Sequence, residues 1–146
     1  MRLSVDIIKT DEKAIIPKYQ TEGAAGFDFH ITGSYNLRAG ERRLLPTGLK
    51  MKIPKGFELQ IRSRSGMAFK HGIIVLNQPG TIDSDYRGEI QILVFNSNEH
   101  GSFLIEDGER IAQGVISPVI QVDFTEVETL DTTQRGEGGF GHTGKA

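Results

Sequence analysis

The segment LKMKIPKGFELQI, from Leu49 to Ile61, carries the pattern that predicts the fold. Apolar residues occupy every second position on both sides of a turn signal, Pro54-Lys55-Gly56. Successive side chains of a β-strand point to opposite faces, so this alternation predicts two half-buried strands separated by a turn. The charged and amide side chains between the apolar positions are expected to face solvent.

The same alternation continues along most of the chain. It recurs in three further segments, Leu3–Ile7, Phe27–Ile31 and Ile120–Phe124. The segments Ile73–Leu76 and Ile90–Phe95 are more continuously apolar, which predicts more fully buried strands. One or two helical turns are predicted around Ser63 to Lys70. Many short strands with turn signals between them predict an all-β, jelly-roll-like β-sandwich with one short helix.

Composition narrows the classes of function. The chain has 146 residues, a formal net charge of −2 and no cysteine. This length suits one domain with a buried core, and the charge gives no electrostatic reason to bind nucleic acid or a membrane surface. The absence of cysteine excludes disulfides and cysteine nucleophiles. The first ten residues, MRLSVDIIKT, lack the apolar core of a signal peptide, so we expect a cytoplasmic protein.

The chain finishes on a glycine-rich segment, RGEGGFGHTGKA, from Arg135 to Ala146. It nearly matches two phosphate-binding motifs, GxGxxG and Walker A, but both require a following helix, and too few residues remain after Thr143 to form one. Glycine N–H groups and the nearby Arg135 still suit an anion. We therefore predict a jelly-roll body, residues 1–125, and a flexible C-terminal arm, residues 126–146.

Chemically suggestive residues are concentrated in five stretches. In chain order they are AAGFDFHI (Ala24–Ile31), RSRSGMAFKHG (Arg62–Gly72), GTIDSDYRGEI (Gly80–Ile90), GERIAQGVI (Gly108–Ile116) and the glycine-rich segment Arg135–Ala146. Each also has a purely structural explanation: a solvated strand residue, a Ser-capped helix with surface arginines, a charged turn, an edge strand, and a disordered tail. In the third stretch, Asp83 and Asp85 would share a face of an extended chain, where one could act as a base. In the fourth, a buried Arg110 would need a carboxylate partner.

Two kinds of metal site are excluded by the spacing of candidate ligands. The third stretch begins like a calcium loop, but Arg87 and Val94 occupy positions that require oxygen ligands. The four histidines, His30, His71, His100 and His142, show no metal-ligand spacing.

Taken together and in this order, the five stretches resemble the five motifs of the trimeric dUTPase family, from Ala24 to Gly144. The resemblance implies hydrolysis of dUTP to dUMP and pyrophosphate with Mg²⁺, which limits uracil in DNA and supplies dUMP for dTMP synthesis. It also implies a jelly-roll homotrimer whose three active sites are each assembled from all three chains. The arm would cross to a neighbouring subunit and close over the nucleotide.

The resemblance also assigns roles to individual residues. Asp83 would be the catalytic residue that holds the attacking water, and Tyr86 would pack against the deoxyribose and exclude a 2′-hydroxyl. Phosphate contacts are implied for Arg64, Ser65, Gly66 and Gln113. The uracil edge would be read by Asn77, Thr81, Ile82 and Gln91. In the arm, phosphate, uracil and backbone contacts are implied for Arg135, Phe140 and Gly141.

Three further positions complete what the resemblance implies. Asp28 matches a carboxylate that holds Mg²⁺ through water. Arg110 matches a structural residue that orients the third motif. His142 stands where many family members have Ser, so the resemblance does not assign to this chain the minor phosphate contact that this Ser makes.

Two other functions compete with this interpretation. A dCTP deaminase has a related fold, but its third motif reads Ile-Asp-Pro-Gly and the following strand carries a catalytic glutamate. This chain has Ile82-Asp83-Ser84-Asp85 and, at the aligned strand position, Leu93. A catalytically silent jelly roll that serves binding or regulation is the second alternative, and the joint presence of Asp83, Arg64 and Arg135 disfavours it.

Overall fold

The computed structural model describes residues 1–145, which form ten strands and one helix. The elements, in chain order, are β1 (Asp6–Lys9), β2 (Phe27–His30), β3 (Tyr35–Arg38), β4 (Arg42–Lys52), β5 (Phe57–Ser63), α1 (Ser65–His71), β6 (Ile73–Val75), β7 (Gly80–Ile82), β8 (Glu89–Asn96), β9 (Ser102–Ile105) and β10 (Arg110–Pro118). The predicted all-β fold with one short helix is confirmed. Within residues 1–145, no helix has the length and apolar character needed to cross a bilayer.

The strands form two four-stranded sheets and one two-stranded sheet. The strand orders are β1-β4-β8-β6, β2-β10-β5-β7 and β3-β9, and the paired strands are antiparallel. Buried side chains from both four-stranded sheets form one hydrophobic cluster, with Phe29, Leu45, Leu59 and Ile92 fully buried. The two larger sheets are therefore the layers of a sandwich around a common core.

The turn at Pro54–Gly56 carries the chain from one sheet to the other. The N–H of Phe57 donates to the carbonyl oxygen of Pro54 at 3.1 Å, and Gly56 has a φ of 89°, which a residue with a Cβ rarely adopts. On one side Leu49 and Met51 are buried, and on the other Leu59 and Ile61 are buried. The alternating pattern thus supplies apolar side chains to the core from both layers.

Helix α1 begins directly after Arg64, which has an extended conformation and makes no side-chain capping hydrogen bond. It ends at Gly72, whose φ of 65° and N–H bond to the carbonyl of Ala68 are typical of a left-handed C-cap. The predicted helix is confirmed to within two residues. The Ser-capped alternative is wrong, because the hydroxyl of Ser63 accepts from the N–H of Val75 instead.

The predicted strand Ile120–Phe124 is absent from this chain. Strand β10 ends at Pro118, and Ile120, Val122 and Phe124 are 87%, 63% and 95% exposed. The final backbone bond to the body is donated by Val119 to the carbonyl of Gly56 at 2.9 Å. A strand needs a hydrogen-bonding partner, and beyond this point no neighbouring strand within residues 1–145 provides one.

Candidate functional site

Three of the chemically suggestive stretches meet on the sheet β2-β10-β5-β7. The registers of β10 place Gln113 opposite Asp28 on β2 and opposite Arg62 on β5. Because adjacent residues on paired strands share a face, Asp28 and Gln113 lie side by side. Strand pairing therefore brings the first, second and fourth stretches together, although they are far apart in sequence.

The carboxylate of Asp28 lies between two guanidinium groups. Arg64 Nε is 3.3 Å from Oδ1, and Arg110 Nη1 is 3.1 Å from Oδ2. The side chain of Asp28 is 15% exposed, against 29% for Arg64 and 41% for Arg110. Asp28 is therefore not a freely solvated strand residue, and the expected carboxylate partner of Arg110 is Asp28. Within this chain the side chain of Arg110 contacts the first stretch rather than the third.

This cluster of Asp28, Arg64 and Arg110 carries a net charge of +1. The ion pairs occupy part of each guanidinium, which leaves further N–H donors on both arginines. Arg64 and Arg110 remain partly exposed, so these donors are accessible from solvent. Guanidinium groups bind phosphate oxygens with charge-assisted hydrogen bonds, so the cluster is suited to an anionic ligand.

Ser63 connects the second stretch to three other segments. Its hydroxyl accepts from the N–H of Val75 at 2.8 Å, and its carbonyl accepts from Gln113 Nε2 at 3.0 Å. Its own N–H donates to Gln78 Oε1 at 2.9 Å. Ser63 and Gln78 were not identified as site residues from the sequence. Their role became visible only through contacts between distant positions.

The third stretch forms a short strand followed by a turn. In β7, Thr81 and Ile82 pair with Gln60 and Leu59 of β5, and the N–H of Tyr86 then donates to the carbonyl of Asp83 at 3.2 Å. The chain is therefore not extended between Asp83 and Asp85, so the expectation that these two side chains share one strand face is wrong. Asp83 is exposed directly after the strand end.

The ring of Tyr86 is held by its own loop. Its hydroxyl donates to the carbonyl of Glu89 at 2.9 Å, and the ring covers Gly88, where an added Cβ would clash with the Tyr86 hydroxyl. The carboxylate of Glu89 accepts in turn from the hydroxyl of Thr10 at 3.1 Å. Tyr86 is 42% exposed, so one side of a positioned aromatic ring is available for a ligand.

Asn77 and Gln91 lie in different surroundings. Asn77 is exposed in the loop before β7, with its amide close to Gly80, where an added Cβ would be 3.5 Å from Nδ2. Gln91 is exposed on β8, opposite Pro46, and belongs to the other four-stranded sheet. The structure thus brings Asn77, Thr81 and Ile82 together around β7 and leaves Gln91 on a separate sheet.

The arm does not reach this site within one chain. The hydrogen bonds of residues 120–145 connect residues of the arm to each other, as in the bond from Arg135 Nε to the carbonyl of Gly138 at 2.8 Å. Phe140 and Gly141 are exposed, and the N–H of His142 donates to the carbonyl of Gly139. Ala146, the last residue of the predicted arm, lies outside the described residues.

The side chains present suit a magnesium ion that arrives with a phosphate ligand. Across residues 1–145, no group of three or more His, Cys, Asp or Glu side chains could hold a metal. Both oxygens of Asp28 already form ion pairs with arginines, so direct coordination would disrupt an ion pair. Mg²⁺ commonly keeps several waters and binds through substrate phosphates, which is compatible with a contact to Asp28 through water.

Comparison with known proteins identifies the family. The family model described as dUTPase matches residues 12–144. The chain belongs to the dUTPase family. This finding confirms the predicted family and enzyme class, a nucleotidohydrolase of deoxyuridine triphosphate.

Relatives of the dUTPase family match over nearly the whole chain. A deoxyuridine 5′-triphosphate nucleotidohydrolase of Nautilia profundicola is 57% identical to this chain. The match covers 98% of this chain and 100% of the relative. A second, from Fusobacterium nucleatum, is 54% identical with 99% coverage of both chains. The solved dUTPase of Staphylococcus bacteriophage 80alpha, a G164S mutant with dUpNHpp, superposes with a TM-score of 0.91 at 27% identity, covering 97% of this chain and 99% of its own.

Proposed function

We propose that this enzyme hydrolyses dUTP to dUMP and pyrophosphate. The observation that carries the proposal is the cluster of Asp28, Arg64 and Arg110, whose net positive charge and accessible guanidinium groups suit a triphosphate. The name of the Nautilia profundicola relative and the dUpNHpp bound to the phage enzyme support the same substrate. The reaction would limit uracil in DNA and supply dUMP for dTMP synthesis, within the cytoplasm.

Asp83 is the proposed catalytic residue. Asp83 directly follows β7, and its backbone carbonyl accepts from the N–H of Tyr86, so its exposed carboxylate can hold a water molecule and accept its proton. The water oxygen bonds to the α-phosphorus while the bond from that phosphorus to the bridging oxygen breaks, releasing pyrophosphate. In-line positioning of the water and neutralisation of the phosphate charge supply most of the rate.

The phosphates are bound from the second and fourth stretches. Arg64 is fixed by Asp28 and by the carbonyl of Arg110, so its geometry is set before the ligand arrives. Ser65 and Gly66 follow it and are exposed, and Gln113 is half-buried beside Asp28. These four residues, Arg64, Ser65, Gly66 and Gln113, form the proposed phosphate site.

The nucleoside is bound around β7. Tyr86 packs against the deoxyribose, and its ring leaves no room for a 2′-hydroxyl. Asn77 reads the uracil edge together with backbone groups of Thr81 and Ile82. Gln91 is assigned to the same role, although it lies on the other four-stranded sheet.

A magnesium ion bound with the triphosphate would supply positive charge that neutralises the phosphate oxygens. The residue proposed to hold it is Asp28, through water. The two arginines keep this carboxylate in a fixed orientation.

The arm, residues 126–146, is proposed to act as a lid over the nucleotide of a neighbouring subunit. Arg135 would bind the terminal phosphate, Phe140 would stack on uracil and the N–H of Gly141 would contact phosphate. Its hydrogen bonds within one chain are local, which supports an arm that orders on a ligand or a partner.

A homotrimer with shared active sites is proposed for the assembly. The segment Ile120–Phe124 alternates apolar and polar residues, yet its apolar side chains are largely exposed in the single chain. An exposed apolar segment of this kind favours contact with another subunit.

The first experiment is an assay of pyrophosphate release from dUTP by the purified chain with Mg²⁺. We expect hydrolysis of dUTP and no ammonia from dCTP. Absence of pyrophosphate release would contradict the proposed function, whereas ammonia release from dCTP would favour the deaminase alternative.

A further inference from the structure

One side-chain hydrogen bond extends the contact between β5 and β7 to the loop that precedes β7. Gln78 Oε1 accepts from the N–H of Ser63 at 2.9 Å. Gln78 directly follows Asn77, the residue proposed to read uracil, and Ser63 directly precedes Arg64, the residue proposed to bind phosphate. The side chain of Gln78 therefore connects the middle of the base-reading loop to the phosphate-binding segment, in addition to the bond from the N–H of Val75 to the hydroxyl of Ser63.

The register of β5 and β7 explains why a side chain makes this connection. Gly80 pairs with Ile61, and continuing that antiparallel register would place Gln78 opposite Ser63. Strand β7 begins only at Gly80, so Gln78 and Pro79 precede the strand and do not continue its main-chain pairing. The side-chain carbonyl of Gln78 thus fills the acceptor position that a main-chain carbonyl would fill in a longer strand.

The two ends of this connection differ in how firmly they are held. Ser63 is the last residue of β5, and its hydroxyl and carbonyl are bonded to Val75 and Gln113. On the loop side, the N–H of Leu76 donates to the carbonyl of Leu93 at 2.9 Å and Gly80 pairs with Ile61, and between these two points Gln78 attaches the loop to Ser63. Loss of the Gln78 bond would therefore loosen residues 77–79 between these two points rather than Ser63.

We propose that Gln78 is a positioning residue for substrate recognition. Its amide carbonyl fixes the loop that carries Asn77 relative to Arg64, so base and phosphate contacts form together without an ordering cost on binding. This inference rests on the proposed function. Because the loop contacts the nucleotide in both the ground state and the transition state, Gln78 acts mainly on KM.

Two variants test the proposal. Gln78→Leu removes the oxygen that accepts from Ser63 and keeps a side chain of similar size. Gln78→Glu keeps an oxygen that can accept this bond. For Gln78→Leu we expect the KM for dUTP to rise about fivefold with little change in kcat, as for loss of one hydrogen bond. We also expect weaker preference for dUTP over dCTP. Gln78→Glu should retain the wild-type KM at about 0.3 M salt, where repulsion of phosphate is largely screened.

Hydrogen exchange of the Ser63 amide gives a readout that does not depend on activity. Exchange should be faster in Gln78→Leu and as slow as in the wild type in Gln78→Glu, and the unfolding midpoint should be unchanged in both because Gln78 is exposed. An unchanged KM in Gln78→Leu, unchanged Ser63 exchange, or equal behaviour of the two variants would overturn the inference. Failure of the wild type to release pyrophosphate would overturn the proposed function, and Ser63 exchange would still decide whether Gln78 holds the loop.

Discussion

Arg64 donates from Nη1 to the backbone carbonyl of Arg110 at 2.8 Å, which ties the second stretch of the site directly to the fourth. Both side chains also pair with Asp28. Two like-charged groups are thus held close together by one carboxylate and one carbonyl. Such an arrangement keeps positive charge directed at a ligand and limits how far either arginine can move before the ligand binds.

Replacing Asp28 with Asn should loosen this cluster. Because the pairs are only partly buried, we expect a loss of about 1–2 kcal/mol in the free energy of unfolding, less than for a fully buried pair. Hydrolysis should fall as well, since Arg64 loses its orienting partner. Urea denaturation and the pyrophosphate assay measure the two effects. The control is Asp6→Asn on the exposed face of β1, and equal stability of the two variants would contradict the prediction.

Replacing Asp83 with Asn should abolish most hydrolysis while the fold and nucleotide binding remain. Asn has similar size but cannot accept a proton, so the rate should fall by about two to four orders of magnitude. Pyrophosphate release at saturating dUTP checks the rate, and calorimetry with a non-hydrolysable analogue checks binding. Asp85→Asn, in the same exposed turn, should keep near-normal activity. A rate for Asp83→Asn within about threefold of wild type would show that Asp83 is not the base.

Tyr86 should determine the discrimination between deoxyribose and ribose. Tyr86→Ala removes the ring and should allow UTP to be hydrolysed, because the proposed exclusion of the 2′-hydroxyl is steric. Tyr86→Phe keeps the ring and loses only the hydroxyl bond to the carbonyl of Glu89, so it should stay selective for dUTP. The measurement is the ratio of kcat/KM for dUTP and UTP. An unchanged ratio in Tyr86→Ala would place sugar discrimination elsewhere.

The chain should assemble as a trimer through its exposed apolar segment. Light scattering should give about three times the chain mass of 16.1 kDa. Val122→Asp puts a charge on an apolar position and should weaken the assembly, whereas Gln121→Asp puts the same charge on the adjacent polar position and should not. A monomeric wild type at working concentration, or equal effects of the two variants, would rule out this assembly.

Truncation after Gln134 should reduce hydrolysis without affecting the folding or the assembly of the body. The body should still fold and assemble with nearly unchanged melting in the absence of ligand, because no strand is removed. The variant loses the ring of Phe140, worth about 1–3 kcal/mol if it stacks on a base, and the phosphate contact of Arg135. If half or more of the free energy of these two contacts is gained only in the closed, reacting complex, the rate of hydrolysis should fall at least about a hundredfold.

Protease protection gives an independent test of the same arm. The full-length arm should resist cleavage only with a non-hydrolysable dUTP analogue and magnesium. Affinity for dUMP, which lacks the phosphate assigned to Arg135, should change less on truncation. Near-normal turnover of the truncated enzyme, or equal cleavage with and without the analogue, would contradict the role as a lid.

The sequence by itself determined the fold class, several strands, the helix and the family, but it gave no indication of β3 or β9. Alternation from Leu49 to Ile61 identified β4 and β5 because a period of two is a local property of extended chain. The helix was identified to within two residues, and in the structure it ends at the left-handed Gly72. The order of the five stretches identified the family before any contact was known.

Only the tertiary structure decided which residues meet. Alternation could not reveal that β4 and β5 belong to different sheets. The same pattern is expected for two strands that pair as a hairpin and for two strands whose connecting turn passes from one sheet to the other. It also predicted a strand at Ile120–Phe124 that the single chain does not form, since a strand depends on a partner edge as well as on its own side chains. The pairing of Asp28 with two arginines and the bond from Ser63 to Gln78 join positions far apart in sequence, so the register between strands determines them.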